Sequence, residues 1–395
     1  MKVVYISNKP IFPLIDGGCI AMHQFLKSIL LAGYDVKNFT LSTYKHPFTI
    51  ESFPQELAEI IRPQKFEVDT RIKPINALKY LFKKGSYNID RFTNQLFKEF
   101  LNKYITENKV DLIILESIYL SGYISTIRKN STSKIIVRSH NVEFLIWERL
   151  ALNQTTLLKK LYFKKLARDL KKVELIQLNK IDGLFCITEQ DQKVFLNNNI
   201  STPIITIPVA IEKTNLTSDY NINTFFHLGS MNWQPNIESV DWLLNSIFPK
   251  IRQIIPDAKI VIAGSFMPNK YKSDESKGIE IVGFVNKTSD FMANNGIMLA
   301  PLKSGSGVRI KLLESMNLGV AIVTTTIGSE GINGINGSDF FSVENEEEFI
   351  TRAIELAKNK SKRELIGRNA KSLIEKKYQL ESITKNIIEF IKKIQ

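Results

Sequence analysis

Cysteine is scarce in this sequence and does not cluster. The chain has 395 residues and two cysteines, Cys19 and Cys186, which form neither a CxxC pair nor part of a ligand cluster. Two isolated thiols in so long a chain predict a reducing compartment and no disulfide framework. No apolar run approaches the ~20 residues of a membrane-spanning helix. The first residues enter a strand at once, which argues against a secretory signal. We therefore predict a cytoplasmic location and exclude an integral membrane protein.

Four familiar site motifs are also missing. The chain contains no GxGxxG, no GxxxxGK[ST], no GxSxG and no HExxH. The second absence excludes a P-loop NTPase, and the first and third leave dinucleotide-dependent and α/β-hydrolase chemistry without support. Since no histidine and cysteine residues cluster at ligand spacing, no intrinsic metal site is expected. The sequence predicts neither a cofactor nor a metal.

Positive charge is abundant but unevenly placed. The net charge is +13, of which residues 1–200 carry +11. Two segments, Arg71–Tyr104 and Leu157–Lys180, each hold eight basic and two acidic residues. A one-sided basic surface attracts polyanions, which include nucleic acid, anionic lipid and phosphorylated substrates. No RNA-binding aromatic motif or helix-turn-helix signal accompanies it, so no specific nucleic acid is expected.

The second basic segment reads as an amphipathic helix. Its apolar face is formed at helical spacing by Leu158, Tyr162, Leu166, Leu170 and Val173. Lysines and arginines fall largely on the opposite face. The apolar stripe could pack on its own domain or contact an anionic membrane surface, and the two alternatives can coexist.

Strands and helices alternate twice along the chain, with a restart near Phe225. Apolar runs such as Leu112–Leu115 fit strands that are buried on both faces of a parallel sheet. The predicted fold class is α/β, with two Rossmann-like open parallel-sheet domains facing a central cleft. The predicted ranges are an N-terminal domain at 1–211, a polar linker at 212–224, a C-terminal domain at 225–380, and a closing helix at 381–395 that could cross back to the first domain.

Ligands of open parallel sheets bind beyond the carboxyl ends of the strands. The most informative such loop lies in Ile297–Gly319, where Gly305-Ser306-Gly307 separates a strand from a helix. Glycines allow close backbone approach, and the first-turn amides together with the helix dipole favour an anion. Arg309 and Lys311 add two cations that suit phosphate oxygens. Glu314, one turn later, could accept hydrogen bonds from ribose hydroxyls. The plainer alternative is a glycine-rich turn with a Lys–Glu helix pair.

Three further loops carry candidate residues. Ser329 and Glu330 follow the next strand and could reach a nucleotide or sugar, or belong to an ordinary polar loop. Asp16-Gly17-Gly18 sits after the first strand, like half of a phosphate loop. His140 follows another buried strand in Arg138–Glu143, a position that favours function, although a lone histidine is more often structural.

These motifs together resemble glycosyltransferase family 4, whose members have the two-domain GT-B fold. The resemblance spans nearly the whole chain and is strongest in GSMNWQPN, APLKSGSGVRIKLLESMNLGVAIVTT and GSEGI, with RSHNVE in the first half. It implies transfer of a sugar from a nucleotide diphosphate sugar with retention of anomeric configuration and no obligatory metal. Hexosyl transfer in bacterial surface polysaccharide or glycoconjugate synthesis, with a lipid-linked or other glycan acceptor, is the implied role.

The resemblance also assigns roles to residues. It implies that Glu314 holds the donor ribose, and that Arg309, Lys311 and the amides of Ser306 and Gly307 hold the diphosphate. Gly17 and Gly18 would approach the phosphates or acceptor, and His140 would face the donor sugar. One departure is clear, because Ser306 stands where many members carry the first glutamate of an E-x7-E pattern.

Two other functions remain open at the level of sequence. A sugar-nucleotide epimerase of the same architecture would convert its substrate without an acceptor, and the order of the motifs argues against it. A non-catalytic scaffold that binds polyanions would use the basic first half alone. A peripheral position at the inner face of the cell membrane is compatible with the predicted transferase.

Overall fold

The structure, a computed structural model, describes residues 1–73, 79–80, 83, 85–152, 154, 156–218, 223–305 and 307–395. These residues divide into two compact units. The first unit contains Met1–Ala210 together with Ile383–Gln395, and the second contains Ile211–Ser382. The predicted linker includes residues 219–222, which lie outside the described residues, as does part of the basic segment Arg71–Tyr104.

The first unit is built on a parallel sheet. Its described strands are β1 (Lys2–Ser7), β2 (Asp35–Thr43), β3 (Gln64–Val68), β4 (Leu112–Glu116), β5 (Lys134–Ser139), β6 (Gly183–Cys186) and β7 (Ile204–Thr206). Their order in the sheet is β3-β2-β1-β4-β5-β6-β7. The chain reverses its direction of travel across the sheet between β1 and β4, and ligands bind open α/β sheets at such a switch point.

Helices of the first unit connect these strands. The described ones are α1 (Gly17–Leu31), α2 (Gln55–Ile61), α3 (Tyr87–Asp90), α4 (Gln95–Glu107), α5 (Ile124–Asn130), α6 (Glu143–Leu152), α7 (Leu157–Leu178) and α8 (Glu189–Asn197). Short 3-10 turns occupy Ile50–Ser52 and Ile118–Tyr123. The central strands are mostly apolar, and residues such as Ile113 and Val137 are fully buried between the helical layers, as expected for a parallel sheet covered on both faces.

The second unit repeats the same plan. Its described strands are β8 (Thr224–Leu228), β9 (Lys259–Ala263), β10 (Ile279–Gly283), β11 (Ile297–Ala300), β12 (Ile322–Thr325) and β13 (Phe341–Val343). Their order is β10-β9-β8-β11-β12-β13, again parallel, with the switch point between β8 and β11. The described helices are α9 (Gln234–Trp242), α10 (Phe248–Ile254), α11 (Thr288–Asn294), α12 (Ile310–Asn317), α13 (Glu346–Lys358) and α14 (Lys360–Lys377).

The closing helix α15 (Leu380–Ile394) leaves the second unit and packs on the first. The Phe390 ring lies 5.2 Å from the Phe185 ring, centroid to centroid. A Cβ added at Gly183 would come within 2.7 Å of the Phe390 ring. Glycine at the start of β6 therefore lets the helix approach the sheet closely.

Two open, parallel-sheet, Rossmann-like domains are thus confirmed, with differences in detail. The segment Ile237–Ile254 is not one regular α-helix, because a π-helical turn at Leu243–Ile247 separates α9 from α10. Pro249 has no amide hydrogen to donate to the carbonyl one turn back, which accounts for the interruption. Strands β3, β7 and β13 lie at or near sheet edges, and their polar or very short sequences carry no alternation that predicts them. Within the described residues, none of the helices combines the length and apolar character needed to cross a bilayer.

Candidate functional site

A charged network lies at the carboxyl ends of β4 and β5, beside the switch point of the first unit. Glu116 ends β4 and is fully buried, and Arg138, its neighbour in the sheet register, is 1% exposed. Arg138 Nη1 donates to both oxygens of Glu116, at 2.8 and 3.1 Å. The Tyr5 hydroxyl donates to the same carboxylate. The Arg138 guanidinium also stacks on the Phe25 ring, 4.6 Å from its centroid.

His140 is part of this network. Its Nε2 lies 2.7 Å from Glu116 Oε2. Burial alone would raise the pKa of Glu116, but Arg138 and then His140 outweigh it and lower that pKa to about 2. The carboxylate is therefore charged and can only accept, so Nε2 carries a proton and donates. In neutral His140 the acceptor nitrogen is then Nδ1, at a side chain that remains partly exposed. Glu116 thus fixes the histidine tautomer.

A second carboxyl group stands close by on α6. The Tyr119 hydroxyl donates to Glu143 Oε2 at 2.6 Å. Burial raises the pKa of Glu143 to about 7, against the lowering effect of hydrogen bonds from Tyr119 and Asn141. The buried Glu174 carboxyl group on α7 accepts hydrogen bonds from the backbone amides of Glu143 and Phe144 at 3.3 and 3.1 Å. This arrangement fixes the first turn of α6 beside His140.

The loop with Gly17 and Gly18 opens α1. Asp16 caps this helix by accepting from the Cys19 amide at 2.8 Å. Lys9 Nζ lies 2.8 and 2.6 Å from the two oxygens of the same carboxylate. A Cβ added at Gly18 would come within 3.0 Å of Lys9 Nζ. A side chain at this position would therefore press on the Lys9–Asp16 ion pair, and Lys9 Nζ would have to shift by a few tenths of an ångström.

The second unit places the predicted anion-binding loop between β11 and α12. Gly305 has a φ of 108°, and a Cβ there would come within 2.8 Å of the Trp233 ring. Arg309 is 5% exposed and stacks over the same ring, 5.3 Å from its centroid. Its Nη1 donates to the Gly307 carbonyl. Ser306, the remaining loop residue of the prediction, lies outside the described residues.

Lys311 reaches from the first turn of α12 to the end of β8. Its Nζ donates to the Leu228 carbonyl at 2.6 Å and to Asn236 Oδ1 at 2.9 Å, and both acceptors are neutral. Burial, and then the charge of Arg309, lower the pKa of Lys311 to about 7. His227 lies nearby with its pKa lowered to about 3, first by burial and then by Lys311, so it adds no charge. The site is therefore poised to gain from a nearby anion.

Glu314 and Glu330 supply the acidic groups of this region. Burial raises the pKa of Glu314 to about 7. The Glu314 carboxyl group is therefore close to half ionised at pH 7, and its ionised form can accept hydrogen bonds from a pair of ribose hydroxyls. Glu330 acts electrostatically on Arg309 from the loop after β12. Ser329 Oγ lies 2.7 Å from Ser342 Oγ, a contact that holds the loop.

The structure brings the C-terminal candidates together and reveals partners that sequence reasoning missed. Arg309 interacts electrostatically with both Lys311 and Glu330 within the second unit. Asn236 accepts from Lys311 Nζ and donates from Nδ2 to the Ser230 carbonyl at 2.8 Å. Glu116 and Tyr5 were not predicted, because a single polar residue in an apolar strand has no local signature. Among the described residues, no group of three or more His, Cys, Asp or Glu could hold a metal ion.

Residues 222–359 match the family model of Glycosyl transferases group 1. The matched range covers most of the second unit and includes Arg309, Lys311, Glu314, Ser329 and Glu330. A curated relative, the "Uncharacterized 44.6 kDa protein in cps region" of Klebsiella pneumoniae, is 26% identical in a gapped alignment of 409 positions that covers 98% of this chain and 99% of the relative.

Solved structures show the same fold along the whole chain. Sucrose-phosphate synthase from Thermosynechococcus elongatus aligns with a TM-score of 0.69 at 12% identity, over 100% of this chain and 99% of that one. The pneumococcal O-GlcNAc transferase GtfA, solved in complex with UDP and GlcNAc, aligns with a TM-score of 0.66 at 12% identity, over 100% and 99%. The two-domain architecture is therefore the GT-B fold.

Proposed function

We propose that the protein is a retaining, metal-independent glycosyltransferase that moves a hexose from a nucleotide diphosphate sugar to an acceptor hydroxyl. The observation that carries the proposal is a pair of cations, the buried Arg309 and the partly buried Lys311, at the opening of α12 inside the range that matches the glycosyltransferase model. Their placement at the carboxyl ends of strands beside a switch point is where an open α/β sheet binds a ligand.

The diphosphate of the donor would lie against Lys311, Arg309 and the first amides of α12. As the bond between sugar and phosphate breaks, negative charge accumulates on the leaving diphosphate. Cations and helix-end amides that are already in place stabilise that charge more than they stabilise the ground state, which is electrostatic catalysis. A phosphate beside Lys311 also keeps its ammonium group protonated in spite of burial. Glu314 would bind the ribose, and Ser329 and Glu330 would line the sugar or nucleotide.

The first unit would supply the acceptor side. His140, held in one tautomer by Glu116, would orient the donor sugar without attacking it, and Gly17 and Gly18 would leave room for phosphate or acceptor. The relative from the cps region of Klebsiella pneumoniae supports a role in bacterial surface polysaccharide synthesis. We propose a glycan acceptor on a lipid carrier, reached from the cytoplasm at the inner face of the cell membrane.

The donor site is tested by titrating UDP, GDP, ADP and dTDP into the protein, each with its common sugar conjugates. One selective diphosphate should raise the melting temperature by mass action. Arg309→Ala combined with Lys311→Met should abolish that shift. Lys303→Met is the matched control, because Lys303 lies in the same loop but is exposed and stacks on Trp242. If the double variant keeps the wild-type affinity, the donor assignment is wrong.

The reaction type is tested with the donor so identified. Proton NMR of the product should show the anomeric configuration of the donor, and turnover should continue with EDTA present. Inversion would contradict the retaining mechanism. Conversion of the sugar nucleotide without an acceptor would indicate an epimerase instead.

A further inference from the structure

Leucines cluster on the surface where α6 ends and α7 begins. We call residues 150–152 and 156–161 the leucine tip. Its exposed side chains are Leu150 (40%), Leu152 (65%), Leu157 (71%), Leu158 (82%) and Leu161 (55%). Single exposed leucines are common on protein surfaces, but a contiguous group of this size marks an interaction surface.

The rest of this helix pair is packed, so the tip is held in place. Further along α7, Leu166 and Leu170 are 6% and 0% exposed. The Trp147 and Phe163 rings stack with centroids 5.7 Å apart. The predicted apolar stripe therefore has two parts: its second half packs on the first unit, whereas its first residue, Leu158, lies in solvent. Intramolecular packing accounts for one part only.

The tip lies on the side of the sheet that carries His140. Helix α6 follows the carboxyl end of β5, and α7 must return to the amino edge to begin β6. At 1.5 Å per residue, the 22 residues of α7 span about 33 Å. The six residues of β5 span only about 20 Å. The excess of about 13 Å places the tip beyond the carboxyl edge.

Positive charge surrounds the leucines. The first twelve residues of α7 contain Lys159, Lys160, Lys164, Lys165 and Arg168 and no acidic residue. Lys159, Lys164 and Arg168 are exposed. The first acidic side chain, Asp169, binds Lys165 at 2.6 Å. Leucine beside lysine on one helix end matches the two layers of an anionic bilayer surface, apolar chains beneath charged headgroups.

We propose that the leucine tip docks the protein on an anionic lipid bilayer, with the leucines at the level of the upper acyl chains and the lysines among the headgroups. The tip then brings the carboxyl edge of the first unit to the membrane, where a lipid-carried acceptor lies. The purpose of this contact rests on the proposed function. The contact itself is tested without turnover, so failure of either can be told from failure of the other.

The main experiment is flotation of the full chain with vesicles of phosphatidylcholine alone or with phosphatidylglycerol. Wild type should bind the anionic vesicles and release from them at high salt. Leu157→Ser, Leu158→Ser and Leu161→Ser together should weaken binding at least tenfold. The matched control is Leu31→Ser, Leu196→Ser and Leu365→Ser, which removes leucines of 61%, 51% and 51% exposure from three separate helices. This control should bind like wild type.

A labelling experiment locates the contact. Both native cysteines are buried, at 2% and 0% exposure, so Leu158→Cys offers one accessible thiol for an environment-sensitive dye. Its emission should shift to the blue on anionic vesicles, whereas the same dye on Leu365→Cys should not. An unshifted dye at position 158 in vesicle-bound protein would overturn the proposal.

Two other outcomes count against it. Equal vesicle binding by the tip variant and the control variant would place the lipid contact elsewhere. Dissociation of a wild-type oligomer by the tip variant, with unchanged vesicle binding, would make the tip an interface between copies of this chain. The nucleotide-dependent thermal shift should persist in both triple variants, which shows that neither has lost the donor site by misfolding.

Discussion

The first unit surrounds one buried carboxylate with an arginine and a histidine, whereas the second unit gathers an arginine and a lysine at a helix N-terminus. In the first unit, Arg138 and His140 lower the pKa of Glu116 to about 2 against the effect of burial. In the second, burial and Arg309 lower the pKa of Lys311 to about 7. One cluster pairs its charges within the fold, whereas Lys311 in the other is held by neutral acceptors and gains a counter-charge when an anion binds nearby.

This difference distinguishes a scaffold from a binding site. The Glu116 network uses its charges to fix the side chains at a sheet edge, and adding a ligand changes little in its protonation. The Lys311 cluster costs stability in the unliganded protein, since a buried ammonium group has lost its hydration. A ligand that relieves this desolvation cost gains binding energy, which is why groups with shifted pKa values are common at binding sites.

The largest expected effect tests the satisfied cluster. Glu116→Gln leaves Arg138 buried without its carboxylate and should lower the free energy of unfolding by about 3–5 kcal/mol. Urea unfolding at pH 7 measures this. Glu67→Gln is the control, because Glu67 is 68% exposed in its ion pair with Lys65, and such pairs contribute about 0–1 kcal/mol.

The same carboxylate predicts an acid dependence. Unfolded Glu116 takes up a proton near its ordinary pKa of 4.5, whereas the folded protein resists protonation down to about 2. Between these two values the unfolded state therefore binds more protons than the folded state. The stability that the Glu116 carboxylate contributes is lost as pH falls through that window. Glu116→Gln should lack this part of the pH dependence. Equal stability of the variant and wild type at pH 7 would contradict the comparison.

A change of opposite sign in the free energy of unfolding is expected for Lys311 in the second cluster. Lys311→Met removes a buried ammonium group and should raise the free energy of unfolding by about 1–2 kcal/mol while donor affinity is lost. Folded Lys311 loses its proton near pH 7 and the unfolded side chain near 10.5. The unfolded state binds more protons between these values, so wild-type stability should rise with pH across that window. Melting curves of wild type and variant from pH 7 to 10 measure both the stabilisation by Lys311→Met and the rise of wild-type stability with pH. A variant less stable than wild type would contradict the desolvation cost assigned to Lys311.

The smallest effect is the proton linkage of donor binding. A diphosphate keeps Lys311 protonated, so binding above pH 7 must take up a proton. Donor affinity should therefore fall by up to about tenfold per pH unit above 7. Calorimetry in buffers of different ionisation enthalpy measures the uptake. Glu314 also titrates near pH 7. The Glu314→Gln variant removes that titration and should keep the part of the pH dependence of donor affinity that comes from Lys311. Affinity independent of pH in that variant would remove Lys311 from the diphosphate site.

Sequence alone was enough for the centre of each sheet and for the candidate loop before α12. Runs such as Leu112–Leu115 are apolar at every position, and only a strand buried on both faces needs that. The same reasoning could not identify β3 or β7, whose edge positions relax the demand for apolar residues. It could not pair Glu116 with Arg138 either, since 22 residues separate them and only the sheet register brings them together.

The hydrogen bonds of Lys311 also could not be predicted from the sequence. The lysine was expected to face an anion, and nothing local predicted that its ammonium group also ties α12 to the Leu228 carbonyl at the end of β8 and to Asn236. Such contacts depend on how strands far apart in the chain are arranged. Motifs of glycine and charge identify which loop binds, while the partners that set the pKa of each group emerge only from the fold.

The return of α15 to the first unit has a consequence for synthesis on the ribosome. Phe390 completes the packing around Phe185 and Gly183, yet these residues leave the exit tunnel some two hundred codons apart by the sequence numbering. The domain that is translated first therefore cannot complete its core until α15 has been made, and its sheet keeps an uncovered apolar patch in the meantime.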